Sequence, residues 1–344
     1  MDDGRETPLE TSALVTALKA AAEPTRLRIL VLLAVGELNV KDLTQILGQS
    51  QPRISRHLKL LAEAGLVERF REGSWVYFHV SDRTQGGRLA RSLLTAVDAT
   101  DAVLRRDGER AEALKREREA VAQAYFRKHA ADWDRTRSLY IAEEEVEAAM
   151  SAALGPGPFP MLVDLGTGTG RTLELFADRF ERGLGLDVNQ SMLAYARSKL
   201  KRAGLSNAEV RHGNIYALPL ADRSVNAVIM HQVLHYLSEP TLAINEAARV
   251  LAPGGRLLIV DFAPHDVEEL RVNHAHERLG FARAQVGDWL TDAGLNLVET
   301  RDLAPKGSDG RQKLTVALWL AERSPAATAS RETSRARQLE GLRP

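Results

Sequence analysis

The chain has 344 residues, more than one hydrophobic core ordinarily serves, so two domains are expected. Apolar residues make up 44% and charged residues 27%, the balance of an ordinary soluble globular protein, and 46 basic side chains cancel 46 acidic ones, so affinity for a polyanion must come from a local patch. Cysteine is absent, which excludes disulfides, thiolate metal sites and thiol nucleophiles. The acidic opening Met1-Asp2-Asp3-Gly4 lacks the apolar core of a secretory leader, and the longest apolar stretches, such as residues 29–35, fall far short of a membrane span. A cytoplasmic location without a membrane partner is the expectation.

The first helical pattern of note opens at Glu23-Pro24-Thr25-Arg26, with proline in the first turn and Leu27, Leu30 and Val31 on one face. A short helix over 40–47 follows, closed by Gly48. Ser50 then caps a third helix whose apolar stripe is Ile54, Leu58 and Leu61, with Leu60 beside it, and Gly65 ends it. Its other face carries Gln51, Arg53, Ser55, Arg56, His57 and Lys59, long polar donors of the kind that reach base edges and phosphates. Residues 66–80 alternate around Glu72-Gly73-Ser74, which predicts a β-hairpin with Arg71 and Ser74 at its tip. From Ser50 to Arg71 there are five Lys or Arg against two Glu, the local patch that the neutral chain requires. Such charges on an isolated helix would suit a solvated face; the ordered succession of helix, turn, helix and hairpin points to double-stranded DNA.

These words, with Ser50-Gln51-Pro52-Arg53-Ile54-Ser55-Arg56-His57-Leu58-Lys59 and Gly65-Leu66-Val67, resemble the ArsR family of winged helix-turn-helix repressors over about residues 10–108. The resemblance implies a homodimer through residues 12–22 and 83–106, with two recognition helices about one DNA turn apart. Metal-sensing members place a cysteine pair where this chain has Asn39 and Lys41, and the 83–107 helix has no histidine, so soft-metal sensing is not expected and no metal site is assigned.

Residues 81–154 continue as a helical bridge rich in Ala, Arg and Glu, and Gly155-Pro156-Gly157-Pro158 breaks it. Strand-like and helical patterns then alternate to about residue 321, as in a parallel sheet, and the tail from 323 has the composition of a disordered segment. The expected division is 1–108, a helical linker over 109–154, a second domain over 155–322 and a tail over 323–344. In the second domain a buried strand ends at Asp164-Leu165 and Gly166-Thr167-Gly168-Thr169-Gly170 follows, leading into a helix over 171–180. This Gly-x-Gly-x-Gly brings backbone N–H groups close to a ligand and differs from the Gly-x-Gly-x-x-Gly of dinucleotide sites. A second strand ends at Asp187, 23 residues beyond Asp164, where a carboxylate can accept both hydroxyls of a ribose. Strands ending near Ile215 and Met230, a turn at Pro253-Gly254-Gly255 before a fifth strand, and a final hairpin around residues 307–310 complete the pattern.

This succession resembles the Rossmann-like seven-stranded sheet of class I S-adenosylmethionine-dependent methyltransferases over about residues 125–321. The resemblance implies S-adenosylmethionine or S-adenosylhomocysteine as ligand. Asp164, Gly166, Thr167, Gly168 and Gly170 would contact its amino-acid end, Asp187 its ribose, and Val188 and Asn214 its adenine, with Met192 and Ile215 also among the binding residues. His231 and Gln232 would stand where the methyl group emerges. The lead-in Tyr125-Phe126, Trp133-Asp134 and Tyr140 resembles a segment that folds over the cofactor, although Trp133 suits a core position equally well.

Methyl transfer needs alignment and desolvation more than a dedicated catalyst. The candidate proton acceptors are His231 and His265, with His235, His274 and His276 nearby in sequence; His274 and His276 are two apart and would make a poor chelate on a helix. Arsenic methyltransferases, which the first resemblance brings to mind, work through cysteines that this chain does not have. Two readings follow. One is a transcriptional regulator whose methyltransferase-like domain binds the adenosyl ligand as effector; the other is an active small-molecule methyltransferase that regulates its own gene. The Gly spacing and the Pro-Gly-Gly turn disfavour a nicotinamide-dependent reductase.

Overall fold

The computed structural model describes residues 9–72, 74–81, 83–130, 133, 143–305 and 314–325. They form two compact units, one reaching to Ala122 and joined by Asp266–His274, the other made of Gln123–His265 and the residues from Ala275 onward. No helix among the described residues is long and apolar enough to cross a membrane.

The first unit holds α1 (Thr11–Ala21), α2 (Pro24–Val35), β1 (Leu38–Asn39), α3 (Val40–Leu47), α4 (Gln51–Glu63), β2 (Glu68–Glu72), β3 (Trp75–His79), α5 (Gln85–Leu94) and most of α6 (Ala102–His129). Pro24 starts α2, and the Glu23 carboxylate accepts the Arg26 N–H at 2.9 Å. Asn39 and Asp42 cap α3 reciprocally, each side chain accepting the other's backbone N–H, at 3.0 and 3.2 Å. Asn39, which stands where metal-sensing relatives need a thiolate, is therefore a helix cap here. Ser50 occupies the cap position of α4, but its side chain makes no cap hydrogen bond. Ile54, Leu58 and Leu61 turn inward from α4 onto Ile29, Leu30, Leu33, Leu43 and Ile46. The hairpin pairs Glu68 with His79 through Glu72 with Trp75, in a sheet of order β1-β3-β2. Gly73 lies outside the described residues.

The bridge expected over 83–154 is not one continuous helix. After α5, Asp98 Oδ1 accepts the Thr100 N–H and hydroxyl at 2.8 and 2.7 Å, and Asp101 Oδ1 accepts the N–H groups of Val103 and Leu104. Short acidic side chains thus satisfy local backbone donors and separate one helix from the next. α6 is strongly polar and is held by charge-assisted contacts. Asp107 accepts two hydrogen bonds from Arg28 at 2.6 and 2.7 Å, Arg110 donates to the Ile46 carbonyl at 3.0 Å, and Arg118 donates to Asp42. These contacts carry the compact unit to Ala122, past the expected boundary at 108.

The second unit begins with the last residues of α6 and continues with α7 (Glu143–Leu154), β4 (Phe159–Leu165), α8 (Arg171–Leu175), β5 (Phe180–Asp187), α9 (Gln190–Arg202), β6 (Ala208–His212) and β7 (Val225–His231). A 3₁₀ turn (Leu234–Tyr236), α10 (Pro240–Val250) and β8 (Leu251–Phe262) follow. α11 (Glu268–Asn273) belongs to the first unit, and α12 (Arg283–Asp292), β9 (Leu295–Leu303) and β10 (Val316–Arg323) finish the second. The seven strands run in the order β6-β5-β4-β7-β8-β10-β9, with β10 antiparallel to both neighbours and the others parallel. Its core includes Val163, Leu165, Val228, Met230, Ile259 and Trp319. The helix expected over 171–180 stops at Leu175, because Phe176 and Phe180 are buried and Arg179 donates to the carbonyls of Ser151 and Gly155. The turn expected at 307–310 and the tail beyond residue 325 lie outside the described residues. Strand order reverses between β4 and β7, which opens a crevice at the carboxyl ends of those strands.

The Arg28–Asp107 pair should matter measurably. Asp107→Ala is expected to destabilise the first unit by about 1.5–3 kcal/mol, the range for a hydrogen bond to a charged group. Urea unfolding of Asp107→Ala, Arg28→Ala and the double variant gives the coupling between the two side chains directly.

Candidate adenosyl pocket and nucleic-acid interface

The crevice is built around the end of β5. Asp187 Oδ2 accepts the Gly168 N–H at 2.9 Å and Oδ1 accepts the Asn189 N–H at 2.7 Å. Each oxygen of an ionised carboxylate can take a second hydrogen bond, so a pair of vicinal hydroxyls can add to this arrangement. Burial pushes the Asp187 carboxyl above its ordinary value, opposed by the donated N–H groups of Asn189 and Gly168. The glycine loop is fixed from the same strand, since the N–H groups of Gly166 and Thr167 both donate to the Leu186 carbonyl at 2.8 and 3.0 Å. Gly166, Gly168 and Gly170 all lie in the left-handed region, at φ +72°, +51° and +80°. Gly185 has a separate reason to be glycine. A Cβ there would stand 2.5 Å from Thr167 Oγ1.

The residues expected to form the ligand's adenine side lie after β5 and β6. The Gly213 N–H donates to the Asp187 carbonyl at 3.1 Å, which brings Asn214 to the same edge. Asn214 is exposed, and its Oδ1 accepts the Tyr216 N–H at 2.9 Å, so one lone pair is already engaged. Val188 is exposed, Met192 is buried and Ile215 packs partly buried against the core. Asp164 is buried at the end of β4. His231 and Gln232 are buried at the end of β7, where Gln232 holds φ +54° while its N–H donates to the Val260 carbonyl at 2.7 Å. Gln232 Nε2 and Thr167 Oγ1 are buried without a hydrogen-bond partner among the described residues. Two such orphaned groups suit a polar ligand. The Trp133 indole Nε1 lies 3.7 Å from where a Cβ on Gly168 would be. It also packs edge-on to Phe126, which meets Tyr236 at 4.7 Å. Asp134 and Tyr140 of the same lead-in lie outside the described residues.

The buried histidine paired with a carboxylate is His235. Its Nδ1 lies 2.7 Å from Asp261 Oδ1, with both side chains almost fully buried, and its ring is 4.2 Å from that of His276. With Nδ1 donating to the carboxylate, Nε2 is the ring nitrogen left over. Tyr236 beside it is kept protonated, its hydroxyl pushed well above the ordinary value by burial and then by Tyr125 and Asp261. His265 is half-buried, packs edge-on to Phe262 and donates its N–H to the Leu279 carbonyl at 3.0 Å. Sequence reasoning named His231 and His265 and passed over Asp261. The available signal was positional, since the residues after adjacent parallel strands β7 and β8 converge at one edge.

In the first unit, Gln51, Arg53, Ser55, Arg56 and Lys59 are exposed on α4, and Arg71 and Ser74 are exposed on the hairpin. His57 turns half-buried against Glu23, at 3.6 Å. Burial depresses its imidazole below the ordinary value, with Arg26, Arg53 and Arg56 adding to the effect and Glu23 opposing it. Among the predicted DNA-facing side chains, His57 is thus the one directed inward.

The second unit has the seven-stranded sheet of the class I methyltransferase fold, and the first contains a helix-turn-helix. Residues 163–259 match the model of a methyltransferase domain, and residues 23–69 match that of the bacterial regulatory protein, arsR family. A "Probable S-adenosylmethionine-dependent methyltransferase" of Mycolicibacterium smegmatis is 31% identical over 144 residues, covering 40% of this chain and 53% of that protein. An arsenite methyltransferase of Halobacterium salinarum is 35% identical over 127 residues, 34% of this chain and 32% of the relative. The chain thus spans about half, or less, of the length of these curated relatives. A Haloferax volcanii complex of the Trm112 methyltransferase activator with its methyltransferase shares the fold, at TM-score 0.51 and 22% identity over 60% of this chain and 98% of that one.

Gly185→Ala tests the packing of the loop. The added methyl must displace Thr167, and a loss of about 1–3 kcal/mol in the stability of the second unit is expected from overpacking. Thermal unfolding followed by calorimetry measures it.

Proposed function

We propose that this chain is a DNA-binding transcriptional regulator, acting as a repressor, whose methyltransferase-type domain binds S-adenosylmethionine or S-adenosylhomocysteine as effector. The observation that carries the reading is α6. Within the first unit its Asp107, Arg110 and Arg118 hold α2 and α3, and within the second its Gln123 accepts two hydrogen bonds from Asn189 Nδ2, at 2.9 and 3.2 Å. Asn189 in turn donates to Asp187, the residue that would hold the ribose. A change at Asp187 on ligand binding would therefore reach Gln123, at the C-terminal end of α6, through Asn189.

Asp164 and the loop from Gly166 to Gly170 would receive the amino-acid end of the ligand, with Thr167 Oγ1 and Gln232 Nε2 offering their unsatisfied polar atoms. Val188, Met192, Asn214 and Ile215 would flank the adenine. The bound sulfonium supplies a transferable methyl group and a positive charge, and that charge is what a sensor of the two ligands must read. The homodimer would form through α1 and the α5–α6 region, where Val15, Leu18 and Val103 stand exposed. Two copies of α4 would then meet operator half-sites about one DNA turn apart, in the cytoplasm.

A second reading, an active methyltransferase, is favoured by the His235–Asp261 pair, whose fixed tautomer can take a proton from an acceptor in a dry aromatic setting. Arsenite is a poor acceptor candidate here, because the chain has no cysteine to hold it.

The experiment is fluorescence anisotropy of an operator selected from random duplexes, titrated with each ligand. The effector reading expects at least one ligand to shift operator affinity by about 5–150-fold, and Asp187→Ala to abolish the response. Unchanged affinity with both ligands would overturn it, and turnover of labelled S-adenosylmethionine on an acceptor panel would then establish the enzyme.

A further inference from the structure

Residues 266–274 follow β8 in the chain but belong to the first compact unit. The excursion is closed at its neck, where the Phe281 N–H donates to the Phe262 carbonyl at 2.9 Å and the His265 N–H to the Leu279 carbonyl at 3.0 Å. Its return passes through Ala275 at φ +57°, a conformation that side chains other than glycine rarely take. The segment grips the hairpin at two points. Arg271 donates to the buried Glu72 carboxylate at 3.1 Å and to the Tyr77 hydroxyl at 3.3 Å, with its guanidinium 4.3 Å over the Trp75 ring. Glu268 Oε1 accepts both the Ser74 N–H at 2.8 Å and the Ser74 hydroxyl at 2.7 Å.

The second contact has a specific chemistry. A backbone N–H and a serine hydroxyl converging on one oxygen form a donor pair for an anion, the pair a hairpin tip presents to a DNA phosphate. Partial burial raises the Glu268 carboxyl, but the Ser74 donors and Arg271 outweigh it and hold the group below its ordinary value. It is therefore ionised at neutral pH. The buried Glu72 carboxylate is met by Arg271, which also reaches Glu268 Oε2 at 3.4 Å, whereas an anion placed on exposed Ser74 competes with any other anion that would use it.

We propose that residues 266–274 are an autoinhibitory strap, in which the Glu268 carboxylate stands in for a DNA phosphate on the hairpin tip and must leave before that tip engages DNA. The proposal rests on the reading of the first unit as DNA-binding. The strap is rooted beside the candidate proton acceptor, since the His276 ring lies 5.7 Å from Phe262 and 4.2 Å from His235.

The test uses the full-length protein and a mixed-sequence DNA duplex at low salt. Four chains are compared: wild type, Glu268→Gln, Glu269→Gln and the double variant Arg53→Ala with Arg56→Ala. Glu269 is exposed on the same helix, so its variant carries the same charge change without releasing Ser74. Glu268→Gln is expected to bind about tenfold more tightly than both wild type and Glu269→Gln, the gain for about 1.4 kcal/mol. Amide hydrogen exchange at residues 74–77 should quicken in Glu268→Gln alone. Equal affinities of the two glutamine variants, or unchanged exchange at Ser74, would overturn the strap while DNA binding lost only in the Arg53/Arg56 variant upholds the regulator. Absence of DNA binding by every chain would overturn both.

Discussion

A carboxylate at the end of a buried strand needs donors, and at Asp187 the donors are backbone N–H groups from either side of the crevice. Gly168 supplies one across the strand gap and Asn189 supplies the other two residues ahead. That requirement sets much of the local design. The loop must enter the left-handed region to aim its N–H, hence glycine at 166, 168 and 170. The strand must pass close beneath Thr167, hence glycine at 185. Asn189 then caps α9 with its Oδ1 while its amide reaches Gln123 on α6. One partly buried carboxylate thereby organises the loop, the helix after it and the end of the bridging helix.

The same logic recurs in the first unit, where a chain of zero net charge places its charges in pairs. Asp107 with Arg28, Asp42 with Arg118 and Glu72 with Arg271 are each buried carboxylates met by an arginine that retains some contact with solvent. Such pairs confer geometric specificity more than stability, because desolvation offsets much of the attraction. Their consequence is that the basic side chains left exposed on α4 are a selected set. Arg53, Arg56 and Lys59 face outward while His57 is drawn toward Glu23.

The two hairpin-tip contacts and the His235–Asp261 pair also share a feature. Each joins a carboxylate to a hydrogen-bond partner that is distant along the chain.

Local signals carried a good deal of this molecule into the sequence. Pro24, Gly48 and Gly65 mark helix ends because caps and left-handed residues act within four positions of one another. The Ile54, Leu58 and Leu61 stripe and the strand, glycine loop and acid pattern from 161 to 187 are equally short-ranged, and they placed the recognition helix and the crevice. Where the bridge breaks was less visible, because Asp98 and Asp101 act through side-chain bonds that compete with a helix of otherwise good composition. The partners of Asp261, Asp107 and Glu268 were not legible at all. Each is far away along the chain and becomes a neighbour only when the sheet closes or the excursion after β8 folds onto the hairpin. Periodicity and capping are properties of consecutive residues, so the sequence by itself determined the elements and their loops; which charges meet is a property of packing, and only the tertiary structure decided it.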